Sequence, residues 1–292
     1  MNIWNGKNSK MPKVVNKAFI PPLGVEIVYR NGIMELVKAM VADYRSIFAI
    51  YKDKKEQVAL DADGTWLTTE VQQRLDKLGK KWEQRFKEYA EKKSPQMISK
   101  VLKATDLQLK SILKDYFASE RFELLGMPTE LKQVVKAHAA ENISLIKSIA
   151  PQYLERVQGA LVRAITGGGS LSQLEREIDK YKREGMRRAK LIAHDQIHKV
   201  FNTMVARRCV QLGIKRMQWF HSHAGKEPRP YHIRKWDGVS GLKDGHPNGL
   251  NGFIFELAHL PVIQEKQGKQ LELRGLPSQL VNCRCFMKPV IE

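Results

Sequence analysis

Cysteine is scarce in this chain. There are three in 292 residues, and two of them sit two positions apart in Cys283-Arg284-Cys285. A disulfide framework needs more cysteines than that, and a bridge within Cys-x-Cys is strained, so no disulfide is expected. Long apolar runs are missing too. No stretch reaches the roughly 20 apolar residues that span a bilayer, so no membrane partner is expected. The start, Met1-Asn2-Ile3-Trp4-Asn5-Gly6-Lys7, has no apolar core followed by small residues. A secretory signal is therefore not read there, and synthesis in a cytoplasm is expected. Enzyme signatures are also lacking: Gly-x-Ser-x-Gly, the Walker loop and the dinucleotide fingerprint do not occur. No catalytic residue is assigned, and the chain reads as a non-enzyme. Acidic residues are the last shortage, 31 against 50 Lys and Arg, for a formal charge of +19.

That charge excess is what the chain does have. It is spread along the whole length and is denser from Lys182 onward. A spread excess suits sequence-independent attraction to phosphates, which salt weakens, better than readout of bases. Non-specific double-stranded DNA is the expected polyanion. The basic groups of the dense region are the candidate contacts: Arg187, Arg188, Lys190, Lys199, Arg207, Arg208, Lys215 and Arg216.

A hydrophobic content of 42% with 28% charged residues is that of a globular chain. Residues 1–24, broken by Pro12, Pro21 and Pro22, read as an extended arm that orders only on a partner. Apolar residues at three- and four-residue spacing then predict helices through 25–184. Ile33, Val37, Met40, Tyr44 and Ile47 form one stripe; Val71, Leu75, Leu78, Trp82, Phe86 and Tyr89 form another. Ser94-Pro95 is expected to open a new helix, and Gly126-Met127-Pro128 to interrupt the chain. His138 falls on an apolar face and reads as a core histidine. Asp61-Ala62-Asp63-Gly64 reads as a turn, because the later ligands of a calcium loop are missing. Gly167-Gly168-Gly169 ends a helix, and Ser170 caps the next. A separate helix is expected from about Arg187 to Leu212, with Gly213 at its C-cap. His194 and His198 stand one turn apart on it, without the glutamate that a zinc protease places beside the first histidine.

Beyond Gly213 the period shortens. Strands are expected at Lys215 to Phe220, after the Gly249–Gly252 turn, and at Phe286 to Ile291, the last an edge strand because of Pro289. The fold class is therefore α+β: a mainly helical region, then a small α+β module at 185–292 with long ordered loops. Such a module buries little apolar surface and needs a fastener. Seven of the eight histidines lie between His194 and His259, close in sequence to the Cys-x-Cys end. His232, Cys283 and Cys285 are expected to converge, with Asp237 beside them and His223 or His221 as a further donor. Two readings stand. One is a metal site, for which zinc suits the donors. The other is a metal-free polar core with reduced thiols. A metal-dependent nuclease is the remaining alternative, supplied with few carboxylates: Glu227, Asp237 and Asp244.

The ordered C-terminal motifs resemble those of the phage Mu F-like head morphogenesis family, the minor capsid proteins of tailed phages. The resemblance rests on Arg188-Ala189-Lys190-Leu191-Ile192-Ala193-His194-Asp195-Gln196, continuing through Lys199 and Asn202 to Gly213-Ile214. It continues with a strand centred on Trp219, then Arg229-Pro230-Tyr231-His232 with Asp237-Gly238 following. Gly275-Leu276-Pro277, Asn282-Cys283-Arg284-Cys285 and Pro289-Val290 complete it. These motifs cover roughly 185–292, and the upstream helices resemble the family more loosely. The family usually carries an Asp shortly before Arg-x-x-His; here Ala224-Gly225-Lys226-Glu227 offers only Glu227. The resemblance implies a minor capsid protein inside the virion near the portal, present in the host cytoplasm during assembly. It implies the portal protein and a major capsid or scaffolding protein as partners, and a part in genome packaging or ejection. The alternative is a metal-dependent nuclease or a zinc-stabilised nucleic-acid-binding protein.

Overall fold

The computed structural model describes residues 13–58, 65–123, 125–166, 171–222, 229–233, 249–265 and 272–291. Among these are six α-helices, α1 (Leu23–Val58), α2 (Thr65–Leu113), α3 (Ser119–Glu123), α4 (Thr129–Lys147), α5 (Ile149–Thr166) and α6 (Leu171–Gln211). Six short strands accompany them: β1 (Lys13–Val14), β2 (Arg216–Phe220), β3 (Ile254–Glu256), β4 (Val262–Glu265), β5 (Glu272–Arg274) and β6 (Phe286–Ile291). The protein is α+β, helical first and then built on small antiparallel strands.

Two expected helix breaks are absent. Pro95 lies inside α2, although proline removes one main-chain hydrogen bond. Buried residues continue on both sides of it, from Trp82, Phe86 and Ala90 to Met97, Ile98 and Val101, and that burial outweighs the lost bond. Likewise α6 is one helix of 41 residues where two were expected. Gly185 sits within it because a Cβ there would stand 3.1 Å from Cγ1 of Val37. The far end of α6 stops as expected. Gly213 has φ +83°, its N–H donates to Val210 O, and the Ile214 N–H donates to Cys209 O. That is a Schellman cap, which favours glycine for its left-handed backbone.

The chain divides into two compact units, and neither is one consecutive stretch. A helical unit comprises 23–99 and 134–196; a mixed unit comprises 100–133, 197–292 and the first 22 residues, as far as they are described. The expected boundary at 184/185 is thus replaced by divisions inside α2, α4 and α6.

The helical unit buries Ile33, Val37, Met40 and Tyr44 of α1, Leu75, Trp82 and Phe86 of α2, Tyr153 and Val157 of α5, and Leu174 and Ile178 of α6. Tyr44 and Tyr153 meet with ring centroids 5.3 Å apart. His138 is buried, as a core histidine should be. A polar stitch joins three helices: the Tyr29 hydroxyl bonds Ser94 Oγ at 3.1 Å and accepts from Asn142 Nδ2 at 2.6 Å. Burial pushes the Tyr29 hydroxyl pKa up, so it stays a neutral donor and acceptor.

In the mixed unit an antiparallel sheet runs in the order β1-β6-β2-β3, and β4 and β5 form a separate hairpin. β6 is interior to the sheet, which corrects the edge-strand expectation. The Pro289 carbonyl accepts from Val15 N at 3.0 Å, on the β1 side. The N and O of one strand residue point the same way, so the missing N–H faces the two-residue β1 and leaves the β2 ladder whole. The partner strand comes from the expected arm. Lys13 and Val14 pair with Ile291 and Val290, Val15 and Phe19 are buried, and Ile20 exchanges two backbone bonds with the Gln108 side chain at 3.0 and 2.6 Å. Residues 13–22 therefore belong to the fold. One sheet face buries Met217, Trp219, Phe255 and Met287. The other carries Phe220 stacked on Phe286, with centroids 5.6 Å apart, and Lys288 4.4 Å over the Phe220 ring.

Candidate functional site

Strand β2 fixes Trp219 in the core, and the Gly252 N–H donates to its carbonyl at 2.8 Å. A single turn of 3₁₀ helix, Pro230–His232, then brings His232 edge-on to the Trp219 ring, with centroids 5.3 Å apart. Just before β6 the chain turns and presents Cys283 and Cys285 to the same imidazole. All three side chains are buried, each in a residue no more than 4% exposed. His232 Nδ1 lies 3.6 Å from Cys283 Sγ and 3.5 Å from Cys285 Sγ. The expected convergence of His232, Cys283 and Cys285 is present. Asp237 and His223 lie outside the described residues.

The proton on His232 can be placed. Nε2 is 3.2 Å from the Ile263 carbonyl, which can only accept, so Nε2 donates. In the neutral ring the Nδ1 lone pair then faces the two sulfurs. A carbonyl behind a histidine is the usual way a metal ligand is oriented. The three donor atoms lie within 4.8 Å of one another and could together hold a metal ion. A tetrahedral ion about 2.3 Å from sulfur and about 2.0–2.1 Å from nitrogen sets sulfur and nitrogen about 3.5 Å apart. The observed 3.5 and 3.6 Å meet that requirement.

Electrostatics prepares one of the thiols as a ligand. Donation from the Cys285 thiol, opposed by burial, draws Cys283 from its ordinary 9 down to about 4. Cys285 is pushed the other way, because it donates to Cys283 and is itself buried. The pair thus holds one proton between two sulfurs. The Ser222 backbone stabilises the Cys285 sulfur against that trend. Cys209, buried alone in α6, has its pKa raised by desolvation and reads as a packing thiol.

The loops around the three donors are tied by bonds that spacing alone did not reveal. Arg229 Nη2 donates to Val281 O at 2.8 Å, joining the Arg-x-x-His loop to the turn before Cys283. Asn202 Nδ2 of α6 donates to Ser278 Oγ at 3.0 Å, and Ser278 Oγ reaches Cys285 O at 3.3 Å. Ser278 and Asn282 hold left-handed backbone, with φ of 67° and 59°. Asparagine tolerates that conformation better than most residues, which accounts for its place directly before Cys283. Asn202 was visible as part of a motif; its role depends on Ser278, 76 residues away.

The expected DNA contacts divide. Arg187 and Lys190 are exposed in the helical unit, and Arg207 and Lys215 are exposed in the mixed unit. Lys199 and Arg216 are half-buried and engaged with other groups. Arg188 is half-buried and donates to Ser148 Oγ at 2.7 Å. Arg208 is a correction. It is 3% exposed, binds Asp106 through Nε and Nη2 at 2.8 and 3.0 Å, and donates to Gly126 O and Gln211 Oε1. A guanidinium with its donors committed inside the fold is a structural tie. The carboxylates on which a nuclease would depend, Glu227, Asp237 and Asp244, are outside the described residues.

Comparison with known proteins adds one relative. The chain is 26% identical over 273 residues to an uncharacterized protein of Haemophilus influenzae (strain ATCC 51907 / DSM 11121 / KW20 / Rd), a match that covers 91% of this chain and 53% of that protein. The chain therefore spans about half the length of that relative. No family model matches the chain, and no solved structure matches it.

Proposed function

We propose that this chain is a minor capsid protein of a tailed phage, similar to the phage Mu F-like head morphogenesis proteins. It associates with the portal on the capsid interior, binds DNA without sequence preference, and assists genome packaging or ejection. One observation carries the reading. The separate motifs that underlie the resemblance, the Trp219 strand, Arg229 to His232 and Asn282 to Cys285, meet at one buried His–Cys–Cys group, although 51 and 53 residues separate the histidine from the cysteines. That group is sealed from solvent, which suits a fastener of loops better than a catalytic centre. The +19 charge supplies the DNA part of the reading.

The finer reading is that the ion is zinc, held by His232, Cys283 and Cys285. Thiolates with an imidazole suit it, and a structural zinc would stabilise a unit rich in loops. Three measurements test the proposal. The tagged chain should co-purify with the portal protein and appear in purified particles, whereas its absence from both removes the capsid reading. Elemental analysis should find about one zinc per chain. Plasmid incubated with the protein and Mg²⁺ or Zn²⁺ should be retarded and uncut; cutting would favour the nuclease alternative.

A further inference from the structure

Five exposed cations lie along α6 within the helical unit: Arg176, Lys180, Arg183, Arg187 and Lys190. Their spacing is four, three, four and three residues. At about 100° per residue that places all five within an arc of about 80°, in a row about 21 Å long. Among the described residues none of the five forms an ion pair or a hydrogen bond, and Lys180 alone feels a nearby carboxylate, that of Glu177. The acids of the same stretch are occupied elsewhere: Glu177 with Arg163, Asp179 with Arg45 and Glu184 with Arg156. Glu175 is exposed, but lies about 100° around the helix from Arg176. Neighbours of like charge three or four residues apart destabilise a helix, so the row calls for an anionic partner.

The ground beside the row repeats the same chemistry. A cleft of about 470 Å³ is lined by Arg163, Arg176, Lys180 and Arg183 against a single carboxylate, Glu177. That carboxylate is held below its ordinary range first by hydrogen bonds from Arg163 and Tyr181 and further by the charge of Lys180, so a single acid shared between Arg163 and Lys180 leaves most of the row's charge unanswered.

We propose that this face of α6, from Arg176 to Lys190, is a binding surface for the phosphate backbone of double-stranded DNA. The inference rests on the reading above that the chain works among DNA, and it names the surface that does so. Three features select the occupant. Over about 21 Å a duplex offers about 12 phosphates, enough to meet every cation of the row. No aromatic residue stands in the row, and single strands are held chiefly by stacking on aromatics. An acidic helix could match the heptad spacing, but it would need an apolar seam between the charges, and the row has none.

The test uses the full chain and a 30-base-pair DNA duplex, with affinity measured by fluorescence anisotropy across a salt series. Changing all five cations to Gln should make the slope of log K against log salt shallower by about 0.9 for each phosphate no longer neutralised, up to about 4.5. A control removes the same charge from exposed lysines of α2 and just beyond the unit's boundary in that helix: Lys77, Lys80, Lys87, Lys92 and Lys100 to Gln. It should move the slope by less than one. Changing Arg176, Arg183 and Arg187 to Lys should keep the slope, because a phosphate backbone is read here as charge. Equal effects of the row and control variants would overturn the proposal, leaving DNA binding diffuse but real. Loss of binding to polyglutamate in the row variant with duplex binding intact would overturn it in favour of an acidic protein partner. Failure of the unaltered chain to bind duplex even at 50 mM salt would overturn both this surface and the DNA part of the proposed function. Failure of portal association with a normal row effect would overturn the capsid reading alone.

Discussion

Replacing Cys283 and Cys285 together by Ser separates the two ways in which the buried group can hold its loops. Each cysteine is at most 4% exposed, and both sulfurs face His232 Nδ1 at 3.5–3.6 Å. Without a metal, the change puts two hydroxyls where two sulfurs packed and leaves them a single imidazole nitrogen to share. An imperfectly paired buried hydroxyl costs about 1–3 kcal/mol, and the His232 bond returns part of that, so the pair should cost about 2–4 kcal/mol. At about 2–4 °C per kcal/mol for a unit of this size, the melting temperature falls by roughly 5–15 °C. With zinc bound, the whole stabilisation by the ion disappears, and a chelator should produce the same shift in the unaltered protein. The assay is thermal unfolding with and without chelator, beside hydrogen exchange to locate the loss. Exchange should quicken in the peptides containing Arg229 to His232, Ser278 to Cys285 and β6, and stay unchanged in α1 and α5. An unaltered melting curve for the double variant would refute the fastener in both forms. Indifference to chelator with a destabilised variant leaves the metal-free form standing.

Three further outcomes follow from the same geometry. Phe19→Ala should cost about 3–4 kcal/mol in thermal unfolding, because the ring is fully buried, whereas Leu23→Ala, at 63% exposed, should be close to neutral; equal effects would return residues 13–22 to the status of a loose arm. Arg208→Met should destabilise by about 3 kcal/mol by leaving Asp106 without its partner, and adding Asp106→Leu should recover part of the loss in a double-mutant cycle. The cysteine pair should give a pH-dependent stability difference between the protein and its Cys283→Ala/Cys285→Ala variant: the depressed Cys283 contributes fully above pH 9 and progressively less as acid is added, vanishing below about 4, while the raised Cys285 opposes folding above 9. The difference should therefore peak near pH 9, and a flat profile would refute the shared proton.

Periodicity carried most of the helical architecture. The stripes of Ile33 to Ile47 and Val71 to Phe86 are the buried faces of α1 and α2, and Gly213 ends α6 with the backbone that its identity requires. The failures came from reading local punctuation without its surroundings. Pro95 and Pro289 each remove a donor, but what that donor would have met depends on neighbours distant in sequence. At Pro289 the vacant side faces a two-residue strand from the other end of the chain. Composition hid that strand as well, because residues 1–24 are polar on average and the average conceals Val15 and Phe19. A division into consecutive domains failed for a related reason. The divisions fall inside helices of 49 and 41 residues, and no change of composition marks them.

The two kinds of site differ in how much of their chemistry is intrinsic to the residue. A buried His–Cys–Cys group was legible, because few uses exist for a Cys-x-Cys and a histidine in loops that need fastening. Its supports, Asn202 with Ser278 and Arg229 with Val281, were not, since each is a pairing of ordinary polar groups across 76 or 52 residues. Cationic contacts are harder still. Arg208 and Arg187 look alike in sequence, yet one is consumed by Asp106 and Gly126 and the other stands free in solvent. Whether a positive charge is available to a ligand depends on which carboxylates have already been taken, and that is a property of the folded molecule. Arg176, Lys180 and Arg183 become a surface because Arg163, Arg45 and Arg156 pair with Glu177, Asp179 and Glu184, which leaves only Glu177 in partial reach of Lys180. The same argument ranks the substitutions: neutralising Arg187 should weaken duplex binding with little effect on folding, and neutralising Arg208 should do the reverse.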